Sequence, residues 1–171
     1  MTTTPGPVGA ATPTAPTAPE SGAISNARGH LETIVGAHKA CQWLLSNRRN
    51  GNDLNDESRR LLRECEWPHV DADTAAERLE DTMREAPLNL EVRSGWTDPG
   101  EKLEPAEFRL LLSTGGPALQ LVGSLTESYE ACDCELQHQD WFTPWQTLPT
   151  TSEEDVALEW FAELFTLSLP Y

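Results

Sequence analysis

Two small sets of residues have the types and spacing for chemistry. His38 and Cys41 stand three apart, one turn of a helix, and Cys132-x-Cys134 with His138 alternate along an extended run. Thiols and imidazoles that converge can hold zinc, which takes four ligands in a tetrahedron and usually shows Cys-x₂₋₄-Cys pairs. One Cys-x-Cys and one His-x-x-Cys on separate elements fall short of that spacing, and reduced buried thiols behave as small apolar residues. A cysteine nucleophile needs a thiol of depressed pKa beside an imidazole. Cys134 and His138 are four residues apart on a strand, about 13 Å, too far for direct proton transfer. His38 and Cys41 are close enough but share an apolar stripe. The expectation is a non-enzyme with no catalytic residue, no metal and no cofactor; a small cysteine/histidine hydrolase is the alternative.

The segment Thr114-Gly115-Gly116-Pro117 has the glycines of a phosphate loop but neither G-x-G-x-x-G nor G-x₄-G-K-[ST], and both flanks read as strand. It is expected to be a hairpin turn. Carboxylates are the dominant chemical group: 171 residues carry 28 Asp+Glu against 12 Lys+Arg, a net charge of −16. Such a chain is repelled by nucleic-acid phosphates and anionic lipid surfaces, so partners selected by charge should be basic proteins. The acid is unevenly placed. Residues 28–69 hold seven Lys/Arg against six acids, whereas residues 70–171 hold five against twenty-one.

Acidic faces commonly serve solubility alone. A sharper reading is that they imitate a phosphate array. Asp133 and Glu135, followed by Gln137 and Gln139, fall on alternate positions of an extended run. Side chains at i and i+2 on a strand are about 6.6–6.8 Å apart, comparable to phosphates along one nucleic-acid strand. Glu153, Glu154 and Asp155 cluster where a helix should begin, and Asp140 adjoins an aromatic string in which Trp141 or Trp145, if exposed, would anchor a partner. These eight residues are the expected partner-binding set.

The elements that must position them follow from periodicity. Residues 30–47 place Leu31, Ile34, Val35, His38, Cys41, Leu44 and Leu45 at helical spacing. A shorter helix is expected after caps at 53–56, carrying Leu61, Leu62 and Cys65 and ended by Trp67-Pro68; a third is expected over 73–85, capped by Asp71 or Asp73. The period then becomes two. Residues 88–92, 108–113, 119–125 and 131–140 read as four strands of an antiparallel meander. An aromatic loop at 141–145, held by packing, leads to a last helix opened by Thr151 or Ser152, whose Ala157, Trp160, Phe161, Leu164, Phe165 and Leu167 should cover one sheet face. The class is α+β, with residues 28–86 helical and 87–171 forming the acidic sheet and its helix.

Residues 1–27 are rich in Thr, Pro, Ala and Gly and are expected to be a disordered tether, with a Pro-x-x-Pro match at Pro13 and Pro16 as its one ligand-like feature. No apolar run reaches 18 residues, and the N-terminal stretch lacks the basic and apolar regions of a secretory signal, so a cytoplasmic location is expected. Cysteines at 41, 65, 132 and 134 make no disulfide framework.

Three strings, Val92-Arg-Ser-Gly-Trp96, residues 108–118 and Gln139-Asp-Trp-Phe-Thr-Pro-Trp145, resemble a group of small hypothetical proteins of bacteriophages and prophages. The resemblance spans about half the chain and implies a phage setting; it carries over no residue role. Joined to the acid distribution, it leads to an expected function: a phage-type interaction protein acting in the host cytoplasm, of anti-CRISPR or anti-restriction type. It would block the basic surface of a host nucleic-acid-handling or defence protein, without touching nucleic acid or membrane. A phage assembly accessory protein is a further alternative.

Overall fold

The computed structural model describes residues 22–49, 71–167 and 169. The architecture is α+β: an N-terminal helix, an antiparallel sheet and a C-terminal helix packed on the sheet. Helix α1 (Gly22–Arg49) is followed by α2 (Ala72–Arg84), strands β1 (Asn89–Ser94), β2 (Pro105–Ser113), β3 (Ala118–Leu125), β4 (Ala131–Gln139) and β5 (Gln146–Thr147), and α3 (Ser152–Thr166). The strands lie in chain order, each antiparallel to the next. β5, two residues paired with Gln137 and His138, extends the expected four-stranded meander by a short edge. The tail at 1–21 and the helix expected after 53 lie outside the described residues.

Strand periodicity sends alternate side chains to opposite faces. Leu110, Leu121 and Leu136 pair across β2, β3 and β4, and each is fully buried. Phe108, Leu112 and Leu119 join them on that face. Leu158, Phe161 and Ala162 of α3 and Ala27, Leu31 and Ile34 of α1 complete one continuous core, so the helical segment and the sheet share it. Among the described residues no helix is long and apolar enough to cross a membrane.

α1 starts at Gly22, eight residues before the onset expected from its large apolar side chains. Ala23 and Ala27 are buried, so small residues in a Gly/Ser/Ala stretch continue the Leu31–Ile34 stripe where tail composition concealed it. Residues 22–27 therefore belong to the folded body and not to the expected tether. A second cluster, Cys41, Leu44, Ala72, Ala75 and Ala76, joins α1 to α2. Asp71 caps α2 by accepting the Thr74 N–H at 2.9 Å, which holds its carboxyl below the usual range.

Thr151 and Glu154 form a capping box at α3: the Thr151 N–H donates to Glu154 Oε2 at 2.7 Å, and Thr151 Oγ1 accepts from the Glu154 N–H at 3.4 Å. Glu154 is likewise held below its usual pKa, chiefly by the Thr151 backbone bond.

β4 carries a bulge. Val122 faces Glu135 but Ser124 faces Cys132, so Asp133 and Cys134 together oppose Gly123. Asp133 takes a left-handed φ of 51° to make room. Gly123 is required there because a Cβ would lie 2.7 Å from the Phe108 ring and 2.9 Å from the Cys132 carbonyl. Gly123→Ala is expected to lower stability by about 1–3 kcal/mol through overpacking, read as a fall in the urea midpoint; an unchanged midpoint would show that Phe108 does not occupy that space.

Candidate functional site

The carboxylates named from the sequence fall on separate surfaces. Asp133 and Glu135 line the open sheet face, in a shallow depression of about 600 Å³ that also includes Gln120, Val122, Arg93 and Arg109. The depression is a hydrogen-bonded polar surface. Gln120 Nε2 donates to Gln137 Oε1 at 2.8 Å, and Gln137 Nε2 and Thr147 Oγ1 donate to Glu135 Oε2 at 2.9 and 3.0 Å. Toward β1, Arg109 pairs with Glu91 and Arg93 with Glu107, so those two acids are neutralised within the sheet.

Glu153, Glu154 and Asp155 do not extend this face. They start α3 on the helical side and are turned to internal use: Glu153 pairs with Lys39 at 2.8 Å, Glu154 with Arg28 at 3.7 Å, and Asp155 accepts from Thr150 Oγ1 at 2.5 Å. Arg28 also donates to the Pro149 carbonyl at 2.8 Å, fastening α1 to the entry of α3. The expected eight-residue set is thus split over separate surfaces, because helix docking recruits the α3 acids against the basic residues of α1.

The aromatic loop is held by polar bonds as well as by packing. Gln139 Nε2 donates to the Thr143 carbonyl at 2.7 Å, Thr143 Oγ1 to the Asp140 carbonyl at 3.0 Å, and Asp140 Oδ1 accepts the Trp141 N–H at 2.8 Å. Trp141 lies 64% exposed over Gly116, where a Cβ would fall 1.9 Å from its Nε1. Phe142, with a φ of 63°, is fully exposed, whereas Trp145 is half-buried. The 114–117 segment is a hairpin turn between β2 and β3.

The thiols are set against nucleophilic use. The bulge breaks the expected common face of Cys132 and Cys134: Cys132 falls opposite Ser124, and Cys134 packs on the core. Burial, and then the charge of Glu159, push the Cys134 thiol up to about 12. Cys132 is raised by the same causes, with Asp133 ahead of Glu159. Cys41, buried and donating to Glu80 Oε1 at 3.6 Å, is pushed up to about 11. All three remain protonated at neutral pH, the reverse of an activated thiolate. His38 stacks on Trp160 with ring centroids 5.2 Å apart. Among the described residues no three His, Cys, Asp or Glu side chains converge to hold a metal ion.

One group stands out that periodicity alone does not single out. Glu130, Glu159 and Glu163 gather where α3 crosses the N-terminal half of β4, with Glu130 and Glu159 close enough to act on Glu163, and Asp133 at the bulge acts with Glu159 on Cys132 and Cys134. None of the four has an ion-pair partner among the described residues, whereas Arg28, Lys39, Arg84, Arg93, Lys102 and Arg109 are all paired elsewhere. Burial, then Glu130 and Glu159, raise the Glu163 carboxyl. Glu159 and Glu163 are i, i+4 like charges, and Glu163 also opposes the negative end of the helix dipole, with no basic residue in the last turn. That i, i+4 spacing was the available sequence signal. We call Glu130, Asp133, Glu159 and Glu163, continuous with Glu135, the acid rim.

A raised folded pKa means that Glu163 stabilises the fold below the ordinary carboxylate range and loses that contribution as pH rises through its folded value. Removing the repulsion should therefore help at neutral pH. Glu159→Gln is expected to gain about 0.2–0.5 kcal/mol at pH 7, with the gain vanishing in acid; a loss at pH 7 in chemical denaturation would contradict the repulsion.

His38 has the opposite sign. Burial lowers its pKa, partly offset by Glu153, so its contribution is present above the ordinary histidine value of about 6.5 and is lost as pH falls through the folded value. His38→Gln should flatten the decline of stability between about pH 6.5 and 5; an identical slope in the variant would remove His38 as the cause.

Compared with known proteins, the chain matches no protein-family model, no curated protein and no solved structure.

Proposed function

We propose that the protein is a non-enzymatic interaction protein whose acid rim docks on the basic, nucleic-acid-binding surface of a partner protein, excluding nucleic acid from it. The observation that carries this reading is the rim itself: Glu130, Glu159 and Glu163 lie together, Asp133 stands at the adjoining bulge, and none has an ion-pair partner among the described residues, whereas Lys39, Arg93 and Arg109 are paired with other acids. Like charges held together cost stability, and a cationic partner relieves that cost on binding, so attraction is built into the surface. Glu135 and the polar Gln120–Gln137 row extend it across the open face. The resemblance to phage proteins points to a host nucleic-acid-handling or defence protein as the partner, hence an inhibitor of anti-CRISPR or anti-restriction type. The exposed Trp141 supplies an apolar anchor at the far end of β4.

The protonated thiols weigh against the cysteine-hydrolase alternative. The test is capture of host proteins by the immobilised full chain, with and without competitor duplex DNA. Basic nucleic-acid-binding proteins should be retained and then released by DNA, and a Glu130→Gln, Asp133→Asn, Glu159→Gln, Glu163→Gln variant should lose at least about tenfold of that capture at low salt. Capture that is indifferent to DNA and to the four substitutions would contradict the proposal.

A further inference from the structure

β1 is the outer strand at the end of the sheet away from β4, and among the described residues no strand pairs with its outer edge. Proline, lysine and a bulge are among the devices that blunt an edge of unpaired backbone groups. β1 has none of these, and the charges it does carry, Glu91 and Arg93, are of opposite sign. Its six residues, Asn-Leu-Glu-Val-Arg-Ser, contain no proline, and the irregularity in the β1–β2 pairing arises from an extra residue on β2, since Arg93 faces Glu107 and Ser94 faces Pro105.

The side chains of this edge are self-complementary. We infer that β1 is a dimerisation edge that pairs antiparallel with β1 of a second copy about a twofold axis through Val92, giving a continuous ten-stranded sheet. In that register, Glu91 stands opposite the partner's Arg93 and Arg93 opposite the partner's Glu91. Within one copy, Glu91 is already paired with Arg109, its neighbour on β2, and Arg93 with Glu107. The row across the interface therefore reads Arg109, Glu91, the partner's Arg93, the partner's Glu107, alternating in sign throughout, and the twofold axis generates the same row again.

The other face agrees. Val92 (42% exposed) lies on the side of β1 that pairs with Phe108, and the exposed Leu88 (61%) and Trp96 flank the strand at its two ends. The same register sets Val92 against its own copy and brings Leu88, at one end of the strand, toward the partner's Trp96 at the other.

Neighbouring registers fail. A shift that keeps the two open faces continuous moves the axis to Glu91 or to Arg93, and either choice stacks a like charge on its own copy across the axis. The inference does not rest on the acid rim, which lies on β4 and α3.

Sedimentation velocity on the full chain across a concentration series tests the edge. The wild type is expected to form dimers that Val92→Lys weakens at least about tenfold. Glu91→Lys and Arg93→Glu each place like charges across the axis and should each be monomeric. Mixed, they restore opposite charges at both cross-strand pairs and should form a one-to-one heterodimer, an outcome that misfolding cannot imitate. Should a charge variant fail to fold, as judged by circular dichroism, Trp96→Ala at its exposed loop position replaces it and should weaken the dimer about tenfold. A wild type that stays monomeric at about 0.5 mM, dimers indifferent to these substitutions, or two folded charge variants that do not combine would overturn the proposal.

Discussion

Leu110, Leu121 and Leu136 lie side by side on neighbouring strands with no exposure to solvent, and the placement of every other element depends on keeping that row intact. A strand alternates its side chains with a period of two, so slipping a strand by a residue would send its leucine into water and bring Arg109, Gln120 or Glu135 toward the core. Burying a leucine side chain is worth about 1.5–3 kcal/mol, and three in a row, covered by Leu158 and Phe161, make alternative registers prohibitively costly. With the register fixed, the other face is fixed as well: Glu91, Arg93, Glu107, Arg109, Gln120, Glu135 and Gln137 must share the open side. The polar surface is thus a consequence of the apolar one.

The charge is organised by what docks on this frame. Where α1 meets the start of α3, Lys39 and Arg28 absorb Glu153 and Glu154, and along β1 and β2 arginines absorb glutamates. At the crossing of α3 and β4 no such compensation occurs among the described residues. The bulge adjoins this group, since a left-handed Asp133 holds a carboxylate at a kink near the same thiols that Glu159 acts on. Strained backbone and unneutralised charge are both departures from the most stable arrangement, and such departures concentrate at sites under functional constraint. The acid rim combines the two, which is why it carries the functional reading in preference to the more numerous acids at the α3 start.

The strand order and the α+β class were legible in the sequence because alternation of Leu88, Leu90 and Val92, or of Cys134, Leu136 and His138, is a local signal. The acidic cap of α3 was legible for the same reason, since Thr151 and Glu154 stand at capping-box spacing. Three things were not. The bulge at Asp133 and Cys134 leaves no periodic trace, so Cys132 and Cys134 were read onto one face that the structure divides. The first turns of α1 are built mostly from small residues, whose burial depends on β4 and α3, more than a hundred residues further on. The engagement of Glu153 and Glu154 with α1 is also long-range, so acids that look like free surface from their sequence position are internal ties.

The central claim is that cationic attraction is localised at one end of the sheet rather than spread over a uniformly acidic molecule. The direct measurement is a titration of uniformly labelled protein with a short oligolysine peptide, followed residue by residue in amide chemical shifts. Shifts concentrated at residues 130–135 and 159–163, with little change at Glu77, Glu85, Asp98 and Glu101, are the predicted result. Equal shifts at all exposed acids would contradict the account and leave the negative charge a matter of solubility alone.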